Sequence, residues 1–266
     1  MRPILSKVIP AIVFFASLLS GCILAQTANI RGSGSVEEEI RPVGEFNTVE
    51  LHTIADVFIQ FSDSFLVRVK AEDNLLPYIQ TRVESNSLII DLKEGTTLIP
   101  QEPILVYVSL PSLIEIRSSS TGDMTIDPFS TENFTASLSS TGDVRMEGLQ
   151  AESVNLRTSS AGDITILSLR TNLLEAHLSS TGDITIQEGT TQWQSIRISS
   201  TGDYKAANLL SSDAELVLSS TGNAVIQVSD TLKARLSGTG DLAYIGSPSL
   251  DIKNSGGGDV KPRDQE

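Results

Sequence analysis

The chain has 266 residues, of which 39% are hydrophobic and only 5% aromatic. It carries 33 Asp and Glu against 19 Lys and Arg, a formal net charge of −14, so nucleic acid is not an expected partner. The apolar residues are mostly Leu, Ile, Val and Ala, which suits narrow β-layers better than a broad globular interior.

The first 21 residues have the layout of a bacterial secretory signal. A basic start with Arg2 and Lys7 leads into an apolar run over residues 8–19, which is too short to span a bilayer as a mature helix. The sequence Leu-Ser-Gly-Cys at 19–22 resembles the lipobox of bacterial lipoproteins, in which the cysteine is lipidated. We therefore predict a signal peptide over 1–21 and a membrane tether on Cys22, with an ordinary cleaved signal as the alternative.

The residues after the predicted lipid site bear on location and flexibility. No aspartate follows Cys22, so resemblance to the enterobacterial sorting rule favours the outer membrane, on its surface or periplasmic face. Cys22 is the only cysteine, so no intramolecular disulfide can form. Residues 22–44 contain a Gly-Ser-Gly-Ser stretch and an acidic run, and they predict a flexible stalk.

Residues 45–110 alternate in polarity like strands, at 46–51, 55–60, 65–70, 87–92 and 104–109. They lack the repeat found further along the chain. We interpret this segment as irregular first coils or a small β-cap that covers the end of the repeat stack.

A short motif, Ser/Thr-Gly-Asp, recurs through residues 111–262. The spacing between its glycines is 20 residues five times and then 18 residues twice. Alternating polarity on both sides of each glycine indicates strands, and a period of about 20 residues is close to one turn of a three-sided parallel β-helix. The predicted fold is therefore all-β, a right-handed parallel β-solenoid. The repeated glycines are Gly122, Gly142, Gly162, Gly182, Gly202, Gly222, Gly240 and Gly258.

Adding the repeat length predicts columns of inward side chains, with register fixed by burial. One column contains Ile116, Ala136, Leu156, Ala176, Ile196, Leu216, Ala234 and Ile252. A second contains Met124, Val144, Ile164, Ile184, Tyr204, Ala224, Leu242 and Val260. Thr158 and Gln194 are polar exceptions at inward positions.

The repeated motif itself predicts a corner between strands. Glycine is expected to supply a positive φ there, and the aspartate to bond the turn backbone. Ser-Ser runs precede the corners at residues 139–140, 159–160, 179–180, 199–200 and 219–220, and they predict ladders of hydroxyls that satisfy one another.

Several segments resemble one known family. They are residues 44–46 with the alternation that follows, 71–75 before a paired strand, 106–111 leading into the repeats, and the Ser-Ser-Thr-Gly-Asp units. Over roughly residues 45–260 the chain resembles the family of the putative autotransporter adhesin head, the GIN domain. The resemblance implies a β-helix that is often secreted or lipid-anchored, and the family name suggests adhesion.

Stacked aspartates raise the question of a metal. Asp143, Asp163, Asp183 and Asp203 would lie about 5 Å apart and could recruit Ca²⁺. The nine-residue Gly-rich repeat of calcium-binding β-rolls is absent, so capping of the turns is the favoured interpretation. We expect no metal and no cofactor.

Catalysis has little support in the sequence. His52 and His177 are far apart, and no nucleophile–base arrangement or carboxylate pair stands out. Trp193 and Tyr204 are candidates for stacking on a sugar. The predicted function is a non-catalytic envelope lipoprotein whose solenoid binds a protein or glycan ligand. The alternatives are a polysaccharide-active β-helix enzyme and an envelope structural or signalling accessory protein.

Overall fold

The computed structural model describes residues 28–264. The predicted signal peptide and Cys22 lie outside the described residues. Apart from one 3₁₀ turn over Leu76–Tyr78, the regular structure in this range is entirely β. No helix in the described range is long and apolar enough to cross a membrane.

The N-terminal part of the described chain contains nine strands. They are β1 (Ala28–Arg31), β2 (Val36–Arg41), β3 (Thr48–Leu51), β4 (Asp56–Phe61), β5 (Leu66–Glu72), β6 (Ile79–Glu84), β7 (Ser87–Leu92), β8 (Thr96–Ile99) and β9 (Leu105–Leu110).

The repeat region contains twelve further strands. They are β10 (Glu115–Ser118), β11 (Met124–Ile126), β12 (Phe129–Leu138), β13 (Val144–Met146), β14 (Leu149–Thr158), β15 (Ile164–Leu178), β16 (Ile184–Ile198), β17 (Tyr204–Leu218), β18 (Ala224–Leu236), β19 (Leu242–Ile245), β20 (Ser249–Asn254) and β21 (Val260–Pro262).

Equivalent residues of successive coils pair in parallel register. Leu156 lies between Ala136 and Ala176, and all three side chains are fully buried. The same registration runs through the whole first column, from Ile116 to Ile252. The predicted parallel β-solenoid with coils of about 20 residues is confirmed, and it has about seven turns.

Each coil contributes to three ladders around a narrow apolar interior. We call them the first ladder (residues 124–126 and their equivalents), the second ladder (129–131) and the third ladder (133–138). In the middle coils, each of the strands β15, β16 and β17 continues through all three ladders without interruption. Alternation within the third ladder buries every second side chain and directs the others to solvent.

The solenoid begins earlier in the chain than the repeat motif does. Strands β3 and β4 form a coil that stacks directly on β10 and β11, with Val49 opposite Ile116 and Val57 opposite Met124. The chain between β4 and β10 is therefore an insertion into the stack. Its strands β7 and β9 pair in parallel with the other edge of that coil.

Antiparallel strands then cover this end of the stack. Strand β5 pairs antiparallel with both β2 and β9, and β6 pairs antiparallel with β7. Residues 45–110 thus hold one regular coil and a cap that covers its edge, which limits edge-to-edge association.

The structure corrects the prediction of a flexible stalk for the described part of residues 22–44. Strand β1 pairs with β8, and β2 pairs with β5. The buried carboxylate of Glu72 accepts the backbone N–H groups of Gly34 (2.6 Å) and Gln101 (2.9 Å). The Gly-Ser-Gly-Ser stretch at 32–35 therefore forms a tight, hydrogen-bonded turn, although its composition is typical of a flexible linker.

Candidate functional site

The corner glycines are needed for a reason other than the predicted one. Positive φ among described glycines occurs at residues 34, 95, 189 and 246, and at none of the eight repeated glycines. A Cβ on Gly142 would instead lie 2.1 Å from the carbonyl oxygen of Gly122, and a Cβ on Gly162 would lie 2.2 Å from that of Gly142. Each corner backbone packs directly on the corner below it, which leaves no room for a side chain.

The aspartates after the corner glycines form a hydrogen-bonded ladder between coils. The backbone N–H of Asp143 donates to Oδ1 of Asp123, and Asp163 donates to Asp143 in the same way, each at 2.8 Å. Asn223 continues the series with its side-chain oxygen. Across residues 28–264 no group of three or more His, Cys, Asp or Glu side chains is placed to hold a metal ion. The calcium alternative remains a prediction.

The serine ladders differ from expectation in their hydrogen bonds. The hydroxyls of Ser159 and Ser179 donate to the carbonyl oxygens of Leu138 and Thr158 in the preceding coil, each at 3.2 Å. The predicted hydroxyl–hydroxyl bonds are therefore replaced by hydroxyl–carbonyl bonds. Because the proton is already engaged, each oxygen is left as an acceptor on the outer face. We call Ser139, Ser159, Ser179, Ser199 and Ser219 the serine column.

The polar exceptions inside the stack have partners. Gln194 is fully buried, and its Nε2 donates to Ser211 Oγ at 2.7 Å, while Tyr204 Oη donates to Gln194 Oε1 at 3.1 Å. Burial raises the pKa of the Tyr204 hydroxyl. Tyr204 is therefore a core residue and cannot stack on a sugar, which corrects one candidate. Thr158 bonds the corner carbonyl of Gly162.

A row of outward side chains, most of them basic, lies on the outer face of the third ladder. Parallel registration stacks these residues at the same position in each coil, directly beside the serine column. We call it the arginine column. It consists of Arg117, Ser137, Arg157, His177, Arg197, Val217, Arg235 and Lys253.

The arginines at the two ends of this column are paired, and those in its middle are not. Arg117 contacts Glu50 (2.6 Å) and Glu115 (2.8 Å), and Arg235 lies 3.5 Å from Glu215. Arg157 and Arg197 are exposed and form no ion pair within residues 28–264. The middle of the column therefore carries two cations without ion-pair partners among the described residues, in a chain that is acidic overall.

The pKa of His177 is shifted by its burial and by the charges around it. Burial, followed by the charges of Arg157 and Arg197, lowers the pKa of its imidazole, and the charge of Glu175 opposes this effect. In the sequence, His177 falls at an outward position between Ala176 and Leu178, which predicts a solvated surface residue. The structure places His177 half-buried on the outer face, between two arginines.

The other histidine, His52, contacts a serine at the start of the repeat region. His52 Nδ1 is 2.5 Å from Ser119 Oγ, and its Nε2 is 3.5 Å from Glu50. An open groove of about 570 Å³ on this face is lined by serines of the third ladder, Arg117, Arg157 and both histidines. Residues far apart in sequence are thus brought together, with the His52 imidazole between the hydroxyl of Ser119 and the carboxylate of Glu50.

A larger groove of about 800 Å³ lies on another face, around Thr185 and Lys205. Two of the charged residues that line it have ion-pair partners, because Lys205 pairs with Asp183 at 2.5 Å and Glu147 pairs with Arg145 at 2.9 Å. The arginine column, with its unpaired cations, is therefore the stronger candidate for a binding surface.

Trp193 lies on the third ladder, four residues before Arg197. It is 37% exposed and stacks in register on the equally exposed Leu173. Of the two proposed sugar-stacking aromatics, only Trp193 is on the outside.

The arginine column was not predicted from the sequence, because the predicted columns contain only inward side chains. The signal was nevertheless present, since arginine recurs at 117, 157, 197 and 235, which are steps of 40, 40 and 38 residues. These steps are two repeat lengths, and so they place arginine on every second coil.

The family is shown by comparison with known sequences. The family model for the putative auto-transporter adhesin, head GIN domain, matches residues 45–248, and the chain belongs to this family. The resemblance stated from the sequence is confirmed. Comparison with curated proteins gives no match.

Solved structures share the fold at low sequence identity. A putative lipid binding protein from Parabacteroides distasonis is 22% identical with a TM-score of 0.84, and the alignment covers 89% of this chain and 100% of that one. A putative adhesin from the same organism is 21% identical with a TM-score of 0.83 and the same coverage. A putative adhesin from Parabacteroides merdae is 20% identical with a TM-score of 0.78, covering 88% and 99%.

Proposed function

We propose that the chain is a non-catalytic lipoprotein of the cell envelope, tethered to the outer membrane by lipid on Cys22, whose solenoid is an adhesive or binding scaffold. The observation that carries the proposal is the arginine column. It is a row of outward side chains in which arginine recurs on every second coil, beside a row of serine acceptors, held in place by a continuous ladder of parallel strands. A surface of this kind suits binding of an extended ligand. The adhesin description of the family supports the same role.

A polysaccharide-active enzyme is less well supported by this face. Glycoside hydrolysis uses two carboxyl groups that flank the scissile bond. Glu175 accepts a hydrogen bond from Asn155 Nδ2 at 2.7 Å, and Glu215 pairs with Arg235. These two carboxylates of the third ladder are therefore engaged in structural contacts.

The tether and the location can be tested together in a bacterial host that processes lipoproteins. We expect the wild-type chain to incorporate labelled palmitate and the Cys22→Ala variant to incorporate none. An adhesive role requires display on the cell surface, so protease added to intact cells should cleave the wild-type protein. Protection in intact cells with cleavage after lysis would contradict surface display, and labelling of Cys22→Ala would contradict the assigned lipid site.

A further inference from the structure

The spacing of the arginine column along the solenoid axis is regular. Neighbouring strands in a sheet are about 4.8 Å apart, so arginines on alternate coils recur roughly every 10 Å. Arg157 and Arg197 are one such interval apart, with His177 between them. Extended β-linked disaccharides have a repeat of similar length.

Arg157 and Arg197 lie on either side of His177 without an ion pair among residues 28–264, and Glu175 is the carboxylate that acts on the imidazole between them. Like charges on one face repel, whereas Arg117 and Arg235 of the same column have carboxylate partners. A ligand with acid groups at the same spacing would remove this repulsion and form charge-assisted hydrogen bonds with the guanidinium groups.

The serine column places a second requirement on the chemistry of the ligand. Because Ser159, Ser179 and Ser199 donate to backbone carbonyls, their oxygens face outward as acceptors. Acceptors suit a ligand rich in hydroxyl donors. A phosphodiester surface offers mainly further acceptors, so it is a poorer match for this row.

Charge density distinguishes among polyanions. A nucleic-acid strand has a phosphate about every 3.4 Å, far denser than one arginine per two coils. The chain's net charge of −14 also opposes a dense polyanion. A sparsely charged acidic polymer fits both observations.

We propose that the arginine and serine columns bind an extended acidic polysaccharide, lying along the solenoid axis, with roughly one acid group per disaccharide. The acid groups contact Arg157 and Arg197, and the sugar hydroxyls donate to the serine column. This assignment rests on the proposed binding function and gives it a ligand class.

Calorimetry with the full chain in detergent tests the assignment, using hyaluronan oligosaccharides as a probe with one carboxylate per disaccharide. We expect binding that weakens as salt is added. The R157Q/R197Q double variant should bind roughly tenfold or more weakly, because two charge-assisted contacts are lost. R145Q/R170Q, which removes the same charge from other faces, should bind like the wild type.

Three results would overturn the assignment. They are equal binding by R157Q/R197Q and the wild type, equal binding of carboxyl-reduced hyaluronan, and binding to phosphatidylglycerol vesicles but not to hyaluronan. The last result would identify a membrane-facing surface. Unfolding of each variant is followed in parallel, so that a folding defect is not mistaken for lost affinity.

A second readout is the titration of His177 by nuclear magnetic resonance. Bound carboxylates beside Arg157 and Arg197 would offset their charges, so the pKa of His177 should rise when hyaluronan is added. An unchanged pKa at saturating ligand would contradict the placement.

Attachment of cells that display the chain separates this inference from the proposed function. If attachment depends on the chain but is unaffected by R157Q/R197Q, the ligand assignment fails and the adhesive role stands. If the protein is inaccessible on cells yet binds hyaluronan after purification, the adhesive role fails and the ligand assignment stands.

Discussion

At the corners between coils, each glycine is fixed by its distance to the coil below. The Cβ of alanine at position 162 would lie 2.2 Å from the carbonyl oxygen of Gly142 and 2.9 Å from that of Ser140. We expect Gly162→Ala to lower the free energy of unfolding by about 1–3 kcal/mol, because coils must separate locally to accept the methyl group. Denaturant unfolding measures this change.

Gly44→Ala is a matched control for that substitution. A methyl group added at Gly44 would have no atom within 4 Å, and the φ of this residue is outside the left-handed region. The stability of this variant should therefore change little. Equal losses in the two variants would show that contact between coils is not the reason for glycine at the corner.

His177 makes stability depend on pH in a defined direction. Burial and the charges of Arg157 and Arg197 lower its pKa in the folded protein below the ordinary value of 6.5. The unfolded chain therefore takes up a proton first as pH falls through 6.5, and stability is lost until pH reaches the lowered folded-state pKa. The charge of Glu175 opposes this loss.

His177→Gln should remove this contribution. The difference in melting temperature between wild type and variant should shift in favour of the variant as pH falls below 6.5. The comparison cancels the titration of carboxylates common to both chains. A difference that is constant with pH would mean that His177 ionises with its ordinary pKa.

Strands and ladders were the most predictable level of the structure. A fixed repeat sets the pairing register, so adding 20 to Leu156 correctly gives its neighbour Ala176. Strand β3 was harder to place, because its neighbour β10 is 67 residues away and an insertion separates them. Antiparallel pairing within that insertion has no repeat to reveal it.

The positions of the repeated glycines were easier to predict than the contacts that explain why that residue type occurs there. Glycine at the corner suggested a positive φ, whereas a carbonyl oxygen of the adjacent coil excludes the side chain. Such a contact exists only once coils are stacked. The pairing of Arg117 and the absence of an ion pair for Arg157 within residues 28–264 likewise depend on neighbouring coils.

The third ladder can be tested through one buried position. Leu178 is 1% exposed and stacks between Thr158 and Ile198. We expect Leu178→Asp to lower the free energy of unfolding by more than ~3 kcal/mol, because it buries an unpaired charge in the column. Thermal unfolding followed by circular dichroism measures this loss.

Leu173→Asp provides the control on the same strand. Leu173 is 37% exposed on the outer face, so an aspartate there remains hydrated and should cost much less. If both substitutions destabilise the chain equally, the assignment of inward and outward positions in β15 is wrong.

Over the whole molecule, the two ends of the stack differ. The antiparallel strands of the insertion cover the N-terminal end. At the other end, within residues 28–264, β20 pairs only with β18 and β21 only with β19, whereas interior strands such as β16 pair on both sides. Leu250 is 48% exposed, although Leu232, one coil earlier in the same column, is fully buried.

This asymmetry predicts that the solenoid opens from its C-terminal end. In a linear stack each coil is stabilised by its neighbours, so a coil with one neighbour opens at a lower free energy than a coil with two. Backbone amides of β20 and β21 should therefore exchange with deuterium faster than those of β15 and β16, as measured by mass spectrometry of peptides. Equal protection would mean that another molecule covers the C-terminal end, and dilution of the sample should then restore the difference if that molecule is a second copy of this chain.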